Sequence, residues 1–584
     1  MNISPKYHNY DPAPTIQVAG FSGACFSGQA EIASELQSRL AGRDRTVLVV
    51  DCYPGVRYEE ILEMFSPLSP DHCFCAEDCA LSKEDYAVEI AGFLTEDPVF
   101  GIMCHRTIDS FFDPRRLAAM RGEIENSGGV ILVYGVGAAL LCRGDVLIYA
   151  DLSRWEIQLR YRSGCPNWNS DNAGALPTEK FKQGYFVEWR FADRHKQAVW
   201  EEADFFLDTH LPDCPKLVTA AAFFAGLETA ASRPFRLVPY FDPGVWGGQW
   251  MKEHFDLDPA APNYAWSFDG VPEENSLLLD YGRVTVQIPA IDLVFYRPAA
   301  LLGDRVYGRY GAEFPIRFDL LDTVGGQNLS LQVHPPTTYI QQNFGMHYTQ
   351  DESYYILDAD EGADSCVYLG LKTGIDREEM LRDLARAERG EAPFPAERYV
   401  NRIPAKKHNH FLIPAGTVHC SGAGCMVLEI SATPYIFTFK LWDWARLDLN
   451  GRPRPIHLAH GANAIRWERD TDFVYRELVG QSETLEASPE RTVRKTGLHE
   501  LEPIVTLTHR SAGRVLHSTE GSVNMLNLVE GAEAVVESPS GRFAPFVVHY
   551  AETFVIPACV GEYTIRPYGS AEGGEIMTVK AYIR

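Results

Sequence analysis

The first 210 or so residues alternate between short apolar runs and longer stretches with helical spacing. Three of the runs, Ile16 to Ala19, Thr46 to Val50 and Val130 to Val133, have the length and composition of buried strands. Strands that alternate with helices usually form a parallel sheet covered by those helices. Residues 1–212 are therefore predicted to form an α/β domain, and the alanine-rich residues 213–234 a helical connector.

A strand-rich pattern replaces this alternation from about Phe235 onward. Runs of alternating apolar and polar residues, such as Val523 to Val529, are separated by glycine-rich turns, which is typical of a jelly-roll of the cupin type. The segment Phe411-Leu-Ile-Pro-Ala has a parallel in Phe554-Val-Ile-Pro-Ala. The pattern predicts a multidomain chain with two β-rich domains, over residues 235–480 and 481–584.

Four residues of the first β-rich domain are candidates for a metal site. Gln332 and His334 are two residues apart in one apolar run, so they lie on the same face of a strand. Glu352 opens a second run, and His419 ends the turn Pro414-Ala-Gly-Thr-Val. Such nitrogen and oxygen ligands suit Zn²⁺, and a single carboxylate leaves the ion with a net positive charge. The alternative is that His419 is a hydrogen-bonded strand residue and Glu352 a solvated strand end.

Five segments around these residues resemble the type I mannose-6-phosphate isomerases in order and register. They are Phe314 to Asp322, Leu329 to Pro335, Glu352 to Asp358, Phe411 to His419 and Leu441 to Arg446. The resemblance begins near Val245-Trp-Gly-Gly248 and implies a zinc-dependent enzyme that interconverts mannose 6-phosphate and fructose 6-phosphate. It also implies roles for single residues: Gln332, His334, Glu352 and His419 as zinc ligands, Trp246 and Ser330 in the sugar-phosphate pocket, and Arg446 facing the reacting sugar or its phosphate. Lys440, which does not come from the resemblance, is a further candidate for binding the substrate.

The chain departs from that family where the reaction needs a base. Moving a carbonyl between neighbouring carbons requires a group that shuttles a proton and a positive site for the oxyanion. Where many family members have a lysine before the glutamate ligand, this chain has Gln350, which cannot act as a base. The family pattern Gly-Glu-Ser-Trp also has no clear counterpart. Either another group such as Asp351 or Lys440 replaces the missing ones, or catalysis is slow or directed at a different sugar.

The second β-rich domain is expected to lack the metal. Glu562 stands there near the position that His419 occupies in the first domain. A segment dense in arginine and glutamate, Asp376 to Gly390, predicts a surface helix inserted between Glu352 and His419 at the mouth of the site.

The segment Gly20 to Glu31 has the shape of a phosphate-binding loop that opens a helix. Gly23 and Gly28 keep the glycine spacing of GxxxxGK[ST], but Gln29 and Ala30 occupy the lysine and hydroxyl positions. Backbone amides alone can still bind an anion, whereas phosphoryl transfer is not expected. The alternative is a generic strand-loop-helix turn that needs glycine for steric reasons.

The N-terminal domain also resembles uridine kinases and their relatives in outline. The resemblance rests on this loop, on Val47 to Tyr53, and on Asp145 to Asp151 followed by Arg160 and Arg162. The glutamate-glycine pair of such kinases reads Tyr134-Gly135 here. The resemblance implies a degenerate P-loop kinase domain that binds a nucleotide or phosphate, or that holds a homodimer together.

The charge of the chain limits its partners. A formal net charge of −26 disfavours binding to nucleic acid and slows the approach of an anionic substrate. A phosphorylated hexose therefore needs a locally basic pocket, for which Arg446, Lys440 and Arg452 are candidates. The longest near-apolar stretch, Leu217 to Leu227, is too short to cross a bilayer. With no signal-peptide pattern and no regular cysteine spacing, the protein is expected to be cytoplasmic.

Two functions of different classes remain open from the sequence. The first is a zinc-dependent aldose-ketose isomerase that acts on mannose 6-phosphate or a related sugar phosphate. The second is a non-catalytic, metal-bearing sugar-phosphate sensor, which the loss of the pocket lysine, of an acidic residue and of the kinase loop would favour.

Overall fold

The computed structural model describes residues 6–360, 362–447, 454, 456–497 and 499–584. These residues form 31 strands and 17 α-helices. The strands are β1 (Thr15–Gln17), β2 (Cys25–Ser27), β3 (Arg45–Cys52), β4 (His72–Cys75), β5 (Gly129–Gly135), β6 (Val146–Asp151), β7 (Phe205–Asp208), β8 (Lys216–Thr219), β9 (Tyr240–Asp242), β10 (Trp266–Gly270), β11 (Ser276–Asp280), β12 (Thr285–Pro289), β13 (Ile316–Asp322), β14 (Leu331–Val333), β15 (Glu352–Ala359), β16 (Cys366–Leu371), β17 (Val400–Pro404), β18 (His410–Ile413), β19 (His419–Ser421), β20 (Cys425–Ala432), β21 (Phe439–Trp442), β22 (Glu483–Ala487), β23 (Arg491–Gly497), β24 (Ile504–Ser511), β25 (Val515–Ser518), β26 (Asn524–Glu530), β27 (Glu533–Glu537), β28 (Phe546–His549), β29 (Thr553–Ile556), β30 (Glu562–Pro567) and β31 (Ile576–Ile583). The α-helices are α1 (Gly28–Leu40), α2 (Tyr58–Phe65), α3 (Lys83–Leu94), α4 (Pro114–Asn126), α5 (Arg154–Arg162), α6 (Pro177–Gln183), α7 (Trp189–Val199), α8 (Ala220–Ala231), α9 (Trp250–His254), α10 (Ile291–Tyr296), α11 (Pro298–Leu302), α12 (Asp304–Tyr310), α13 (Thr337–Phe344), α14 (Arg377–Glu388), α15 (Ala396–Tyr399), α16 (Leu458–Ala464) and α17 (Thr471–Phe473).

The chain divides into two compact units. The α/β unit contains Thr15–Ala230 and Ser276–Tyr296, and the β-rich unit contains Ala231–Asn275, Arg297–Arg584 and the segment that ends at Pro14. This division differs from the predicted boundaries in two places. Strand β8 lies inside the predicted helical connector but joins the sheet of the α/β unit, and β11, β12 and α10 interrupt the predicted isomerase-like part.

The α/β unit contains a seven-stranded sheet in the order β2-β8-β7-β6-β3-β5-β4. Strands β7, β6, β3, β5 and β4 pair in parallel, which confirms the parallel sheet predicted from the alternation of strands and helices. The central strand β3 is buried at seven of its eight residues, as expected for a strand covered on both faces. Strands β8 and β2 continue the sheet in antiparallel pairing at one edge.

The predicted phosphate loop is built differently from a phosphate-binding loop. Strand β1, which should lead into it from the parallel sheet, pairs instead with β11 in a separate three-stranded sheet. Residues 25–27, inside the predicted loop, form the short edge strand β2. An anion held at a helix N-terminus needs free amides at the end of a strand that points into the site. This topology does not supply that arrangement.

The β-rich unit contains two pairs of antiparallel sheets. The central β-sandwich combines the sheet β18-β15-β20-β13-β10-β9 with the sheet β17-β16-β19-β14-β21. The C-terminal β-sandwich combines β22-β23-β24-β31-β26-β29 with β25-β30-β27-β28. Alternate residues of each strand point between the two sheets of a sandwich, so a short polar pattern can line its interior.

The helix predicted over Asp376 to Gly390 is confirmed as α14. Its N-cap, Asp376, accepts a hydrogen bond from the backbone N–H of Glu379 at 2.9 Å. Met380, Leu384 and Ala387 are buried at helical spacing, and the charged residues take the other face. No helix among the described residues combines the length and the apolar character needed to span a bilayer.

Candidate metal centre

Three strands of the central β-sandwich bring the predicted ligands together. Gln332 lies on β14 opposite His419 on β19, and the two are direct partners in the antiparallel ladder. His334 follows two residues after Gln332, on the same face. Glu352 begins β15, which belongs to the other sheet of the sandwich. The four side chains are buried and meet in the space between the two sheets.

The distances within this group are those of a compact cluster. Glu352 lies between the two imidazoles, with Oε2 3.1 Å from Nε2 of His334 and Oε1 2.7 Å from Nε2 of His419. One ligand atom from each of these three residues falls within 4.8 Å of the others. The side-chain amide of Gln332 lies 3.3 Å from Nε2 of His419. Rotation of that amide would present its oxygen at the same place.

Backbone carbonyls orient both imidazoles. Nδ1 of His419 lies 2.8 Å from the carbonyl oxygen of Thr417, and Nδ1 of His334 lies 3.4 Å from that of Phe437. A hydrogen donated from Nδ1 leaves Nε2 as a lone pair that points into the cluster, which is the usual arrangement of metal-binding histidines.

Two atoms of the cluster lack hydrogen-bond partners of normal geometry. They are Nε2 of His334 and Oε1 of Glu352, both fully buried. Burial by itself raises the pKa of the Glu352 carboxyl, but positive charge on the two adjacent imidazoles outweighs burial and holds that pKa far below its usual range. A buried carboxylate that stays ionised needs a positive charge beside it, which either protonated imidazoles or a bound cation can supply. Two imidazoles, a carboxylate and an amide oxygen form a donor set that fits a divalent metal such as Zn²⁺.

A second carboxylate, Glu429, lies next to the cluster and was missed by the sequence reasoning. Gln350 donates its side-chain amide to Oε2 of Glu352 at 3.0 Å and to Oε1 of Glu429 at 3.2 Å. Burial, with Asp319 and Glu352 nearby, raises the pKa of Glu429 well above its usual range, and Arg317 opposes this from 3.2 Å. The signal was a glutamate in the middle of the apolar run of β20, where an unpaired charge would be costly.

The two residues suggested as replacement bases lie in different places. Asp351 stands between Gln350 and Glu352 in the sequence, and its Oδ1 accepts a hydrogen bond from the backbone N–H of Ala415 at 2.8 Å. Lys440 is the ladder partner of Gln332 on β21, so the two share a face of the sheet. Burial lowers the pKa of the Lys440 ammonium to about 8, with Arg454 adding to the effect. Its ammonium makes no hydrogen bond or ion pair to a described residue.

The remaining predicted pocket residues form two groups. Arg446 binds Asp443 and donates to the carbonyl oxygen of Asn328, and Asp443 also accepts a hydrogen bond from Ser330 at 2.8 Å. Trp246 is buried and packs edge-on against Trp266, with ring centroids 4.7 Å apart. Among the described residues, neither Arg446 nor Trp246 makes a hydrogen bond, ion pair or ring contact with His334, Glu352 or His419.

Arg452, the third basic candidate, lies outside the described residues.

The predicted phosphate-loop residues are occupied by contacts within the α/β unit. The backbone N–H of Gly28 donates to the carbonyl of Pro215 at 2.9 Å, and the N–H of Ser27 donates to Glu31 at 3.0 Å. Gln29 donates its side-chain amide to the carbonyl of Glu63 at 2.6 Å. Gly23 lies before β2, five residues ahead of the start of α1 at Gly28. Two amides expected to face an anion are therefore already paired, and Glu31 adds a negative charge beside them.

Comparisons with known proteins support different conclusions for the two parts of the chain. A family model described as a domain of unknown function (DUF8485) matches residues 28–232, less than half of the chain. The chain is 25% identical over 236 residues to a mannose-6-phosphate isomerase of Streptococcus mutans, which is 40% of this chain and 68% of that protein. It is 30% identical over 155 residues to the mannose-6-phosphate isomerase ManA of Bacillus subtilis, 26% of this chain and 45% of that protein.

Solved structures of the same class of protein are also similar. The mannose 6-phosphate isomerase structure from Bacillus subtilis matches with a TM-score of 0.47 at 20% identity, covering 60% of this chain and 100% of that one. The curated relatives that this chain matches are thus mannose-6-phosphate isomerases. The family model that matches residues 28–232 names no function for that part.

Proposed function

We propose that the protein is a metal-dependent aldose-ketose isomerase that interconverts mannose 6-phosphate and fructose 6-phosphate or a closely related pair. The observation that carries the proposal is the buried cluster of two imidazoles and one carboxylate, with ligand atoms within 4.8 Å of one another. The similarity to mannose-6-phosphate isomerases supports the choice of substrate.

In this proposal Gln332, His334, Glu352 and His419 would hold one Zn²⁺. The donor set and the unpaired atoms of His334 and Glu352 support this assignment. When bound, the ion supplies positive charge that stabilises an oxyanion at the neighbouring sugar oxygens. The chain itself fixes the ligands, because the backbone carbonyls of Thr417 and Phe437 hold both imidazoles in one orientation.

The proton shuttle is assigned to Glu429. Its carboxyl is one amide group away from Glu352, since Gln350 donates to both. Proton transfer between C1 and C2 requires a base within hydrogen-bond reach of both carbons, and a carboxyl on the strand next to β15 can reach a substrate that lies over the cluster. Gln350 then has a positioning role, because it cannot ionise but keeps the two carboxylates apart and oriented.

The phosphate end of the substrate is assigned to the side of Lys440 and Arg446. The Lys440 ammonium shares a face with Gln332 and has no partner among the described residues. Arg446 lines a cavity of about 380 Å³ together with the loop that follows α14. A basic side is needed because the chain carries a net charge of −26. We propose that Ser330 contributes through Asp443, which it shares with Arg446.

The direct test is a coupled assay for fructose 6-phosphate formed from mannose 6-phosphate by the full chain. We expect turnover that a chelator abolishes and that added Zn²⁺ restores, with about one metal per chain by elemental analysis. A filled metal site without turnover on any hexose phosphate would refute the isomerase and favour the sugar-phosphate sensor.

A further inference from the structure

A second cavity lies on the far side of strand β15 from the metal cluster. Successive residues of a strand point to opposite faces. The Tyr354 ring therefore lies 5.8 Å from the His419 ring, while Tyr355 lines a cavity of about 370 Å³. Strands β23 and β24 of the C-terminal β-sandwich form the other wall. The volume falls in the range of roughly 300–1,000 Å³ that is common for small-molecule sites.

The lining of this cavity contrasts with the charge of the chain. The sequence has 79 acidic and 53 basic residues, yet none of the described aspartates and glutamates lines the cavity, and two arginines do. Arg494 makes no ion pair or hydrogen bond to a described residue, and Arg510 has one exposed contact, 3.4 Å from Glu575. Glu530 pairs with Lys407 and with His408, which lines the cavity, but Glu530 itself is not part of the lining. The cavity is therefore locally cationic.

Neutral polar groups inside the cavity also lack partners. The His410 imidazole is 7% exposed and lies near the backbone of Thr496, but neither of its nitrogens makes a hydrogen bond of normal geometry to a described residue. The hydroxyl of Thr496 is likewise buried and unpaired. Burial lowers the pKa of His410 to about 3, so the ring is neutral and offers one donor and one acceptor. Buried polar groups of this kind usually have a partner.

We infer that this cavity is a second binding site, distinct from the metal centre, for a small phosphorylated and hydroxyl-bearing molecule. The Arg494 guanidinium, with Arg510 beside it, matches the oxygens of a phosphomonoester. His410 and the threonine hydroxyls of β23 and β24 match the hydroxyl groups of a polyol. The inference does not depend on the proposed isomerase activity, because the cavity lies on the opposite face of β15.

Calorimetric titration of the full chain at constant ionic strength tests the inference, with inorganic phosphate and mannose 6-phosphate as probes. We expect Arg494→Ala to remove one binding event or to weaken it about tenfold or more, since a charged hydrogen bond is lost. Arg494→Lys should weaken it less, because the charge remains. The matched control is Arg514→Ala, an exposed arginine of the same β-sandwich that pairs with Glu537 and should leave binding unchanged.

Chemical selectivity provides the second arm of the experiment. Mannose without phosphate should bind at least tenfold more weakly than mannose 6-phosphate at the event that Arg494→Ala removes. The inference is overturned by equal binding in Arg494→Ala and Arg514→Ala, or by mannose binding as well as its phosphate ester. Turnover of the unmodified chain is measured in parallel. If the chain is inactive but shows a binding event that Arg494→Ala removes, only the proposed function is refuted. If the chain is active but shows no binding event that depends on Arg494, only the second site is refuted.

Discussion

Each of the two β-sandwiches of this protein has a pair of histidines in its interior. The charged group beside the pair is negative in one sandwich and positive in the other. In the central β-sandwich the rings of His334 and His419 have centroids 5.0 Å apart, and Glu352 lies between them. In the C-terminal β-sandwich the rings of His509 and His517 are 4.6 Å apart. There the nearby charge is the Lys580 ammonium, which bonds the carbonyl of Ser518 at 2.8 Å.

The third group decides what the histidine pair can bind. A carboxylate beside two imidazoles attracts a cation, whereas an ammonium repels one. Burial first, and Lys580 second, lower the pKa of His509 to about 3, so this pair stays neutral and is held by packing against Tyr563. A similar fold can therefore carry a donor set that fits a cation or a neutral histidine pair, according to the charges beside the two rings.

Removing a histidine from each pair is expected to give the largest contrast. His419→Ala takes away a predicted ligand, so bound metal should fall to background and turnover by about 10³-fold or more, since a metal contributes several kcal/mol to oxyanion stabilisation. His517→Ala, the matched change in the other pair, should leave metal content at one per chain. Elemental analysis and the coupled assay measure both; equal metal loss in the two variants would contradict the assignment.

Glu429→Gln tests the proton shuttle inside the central β-sandwich. The substitution keeps the size of the side chain and a hydrogen-bonding group, but removes the proton acceptor. We expect turnover to fall by about 10²- to 10⁴-fold while the metal remains bound. Glu537→Gln, which alters a partly exposed carboxylate of the C-terminal β-sandwich, is the control and should keep full activity. Normal turnover in Glu429→Gln would show that another group transfers the proton.

The acid sensitivity of the C-terminal β-sandwich follows from its neutral histidines. The pKa of His509 is about 3 in the fold and about 6.5 when unfolded, so the unfolded chain binds more protons between these values. Stability contributed by this residue is complete above pH 6.5 and is lost as pH falls towards 3, roughly 3 kcal/mol by pH 4. His509→Gln should flatten the dependence of the free energy of unfolding on pH over this window. An unchanged slope would contradict the burial argument.

A matched pair of lysines gives the smallest expected effect. Lys440→Met should raise KM for mannose 6-phosphate about tenfold with a smaller change in kcat, because the ammonium is assigned to substrate phosphate. Lys580→Met removes a buried ammonium that touches no assigned site, and should leave KM unchanged. Steady-state kinetics of both variants check the pair. A shift in KM for Lys580→Met alone would reverse the assignment of the two sandwiches.

Sequence reasoning identified the features that depend on local spacing. The period of two in Gln332-Val-His334 and the turn before His419 were sufficient to propose a cluster, and the geometry brings those residues together. The helix α14 was predicted from the arginine and glutamate residues that recur at helical spacing between Asp376 and Gly390. Such signals are read within one segment, so they need no knowledge of the tertiary fold.

Features that depend on pairing between distant segments were not accessible in the same way. The glycines before α1 have the spacing of a phosphate loop, but β1 pairs with β11, more than 250 residues away, and this removes the strand that such a loop requires. Glu429 became visible only when β20 paired with β15 and brought Gln350 between two carboxylates. Arg446 ends one of the segments that resemble the isomerases, but the sequence did not show that its guanidinium pairs with Asp443.

All eight residues of β15 are buried. One face carries Glu352 and Tyr354, and the other carries Tyr355. A substitution on either face must therefore fit against packed neighbours. Deleting one residue of β15 would exchange the two faces and disrupt the imidazole cluster and the Tyr355 cavity at once. In hydrogen–deuterium exchange the amides of this strand should be among the slowest of the β-rich unit, because they open only when the whole sandwich does.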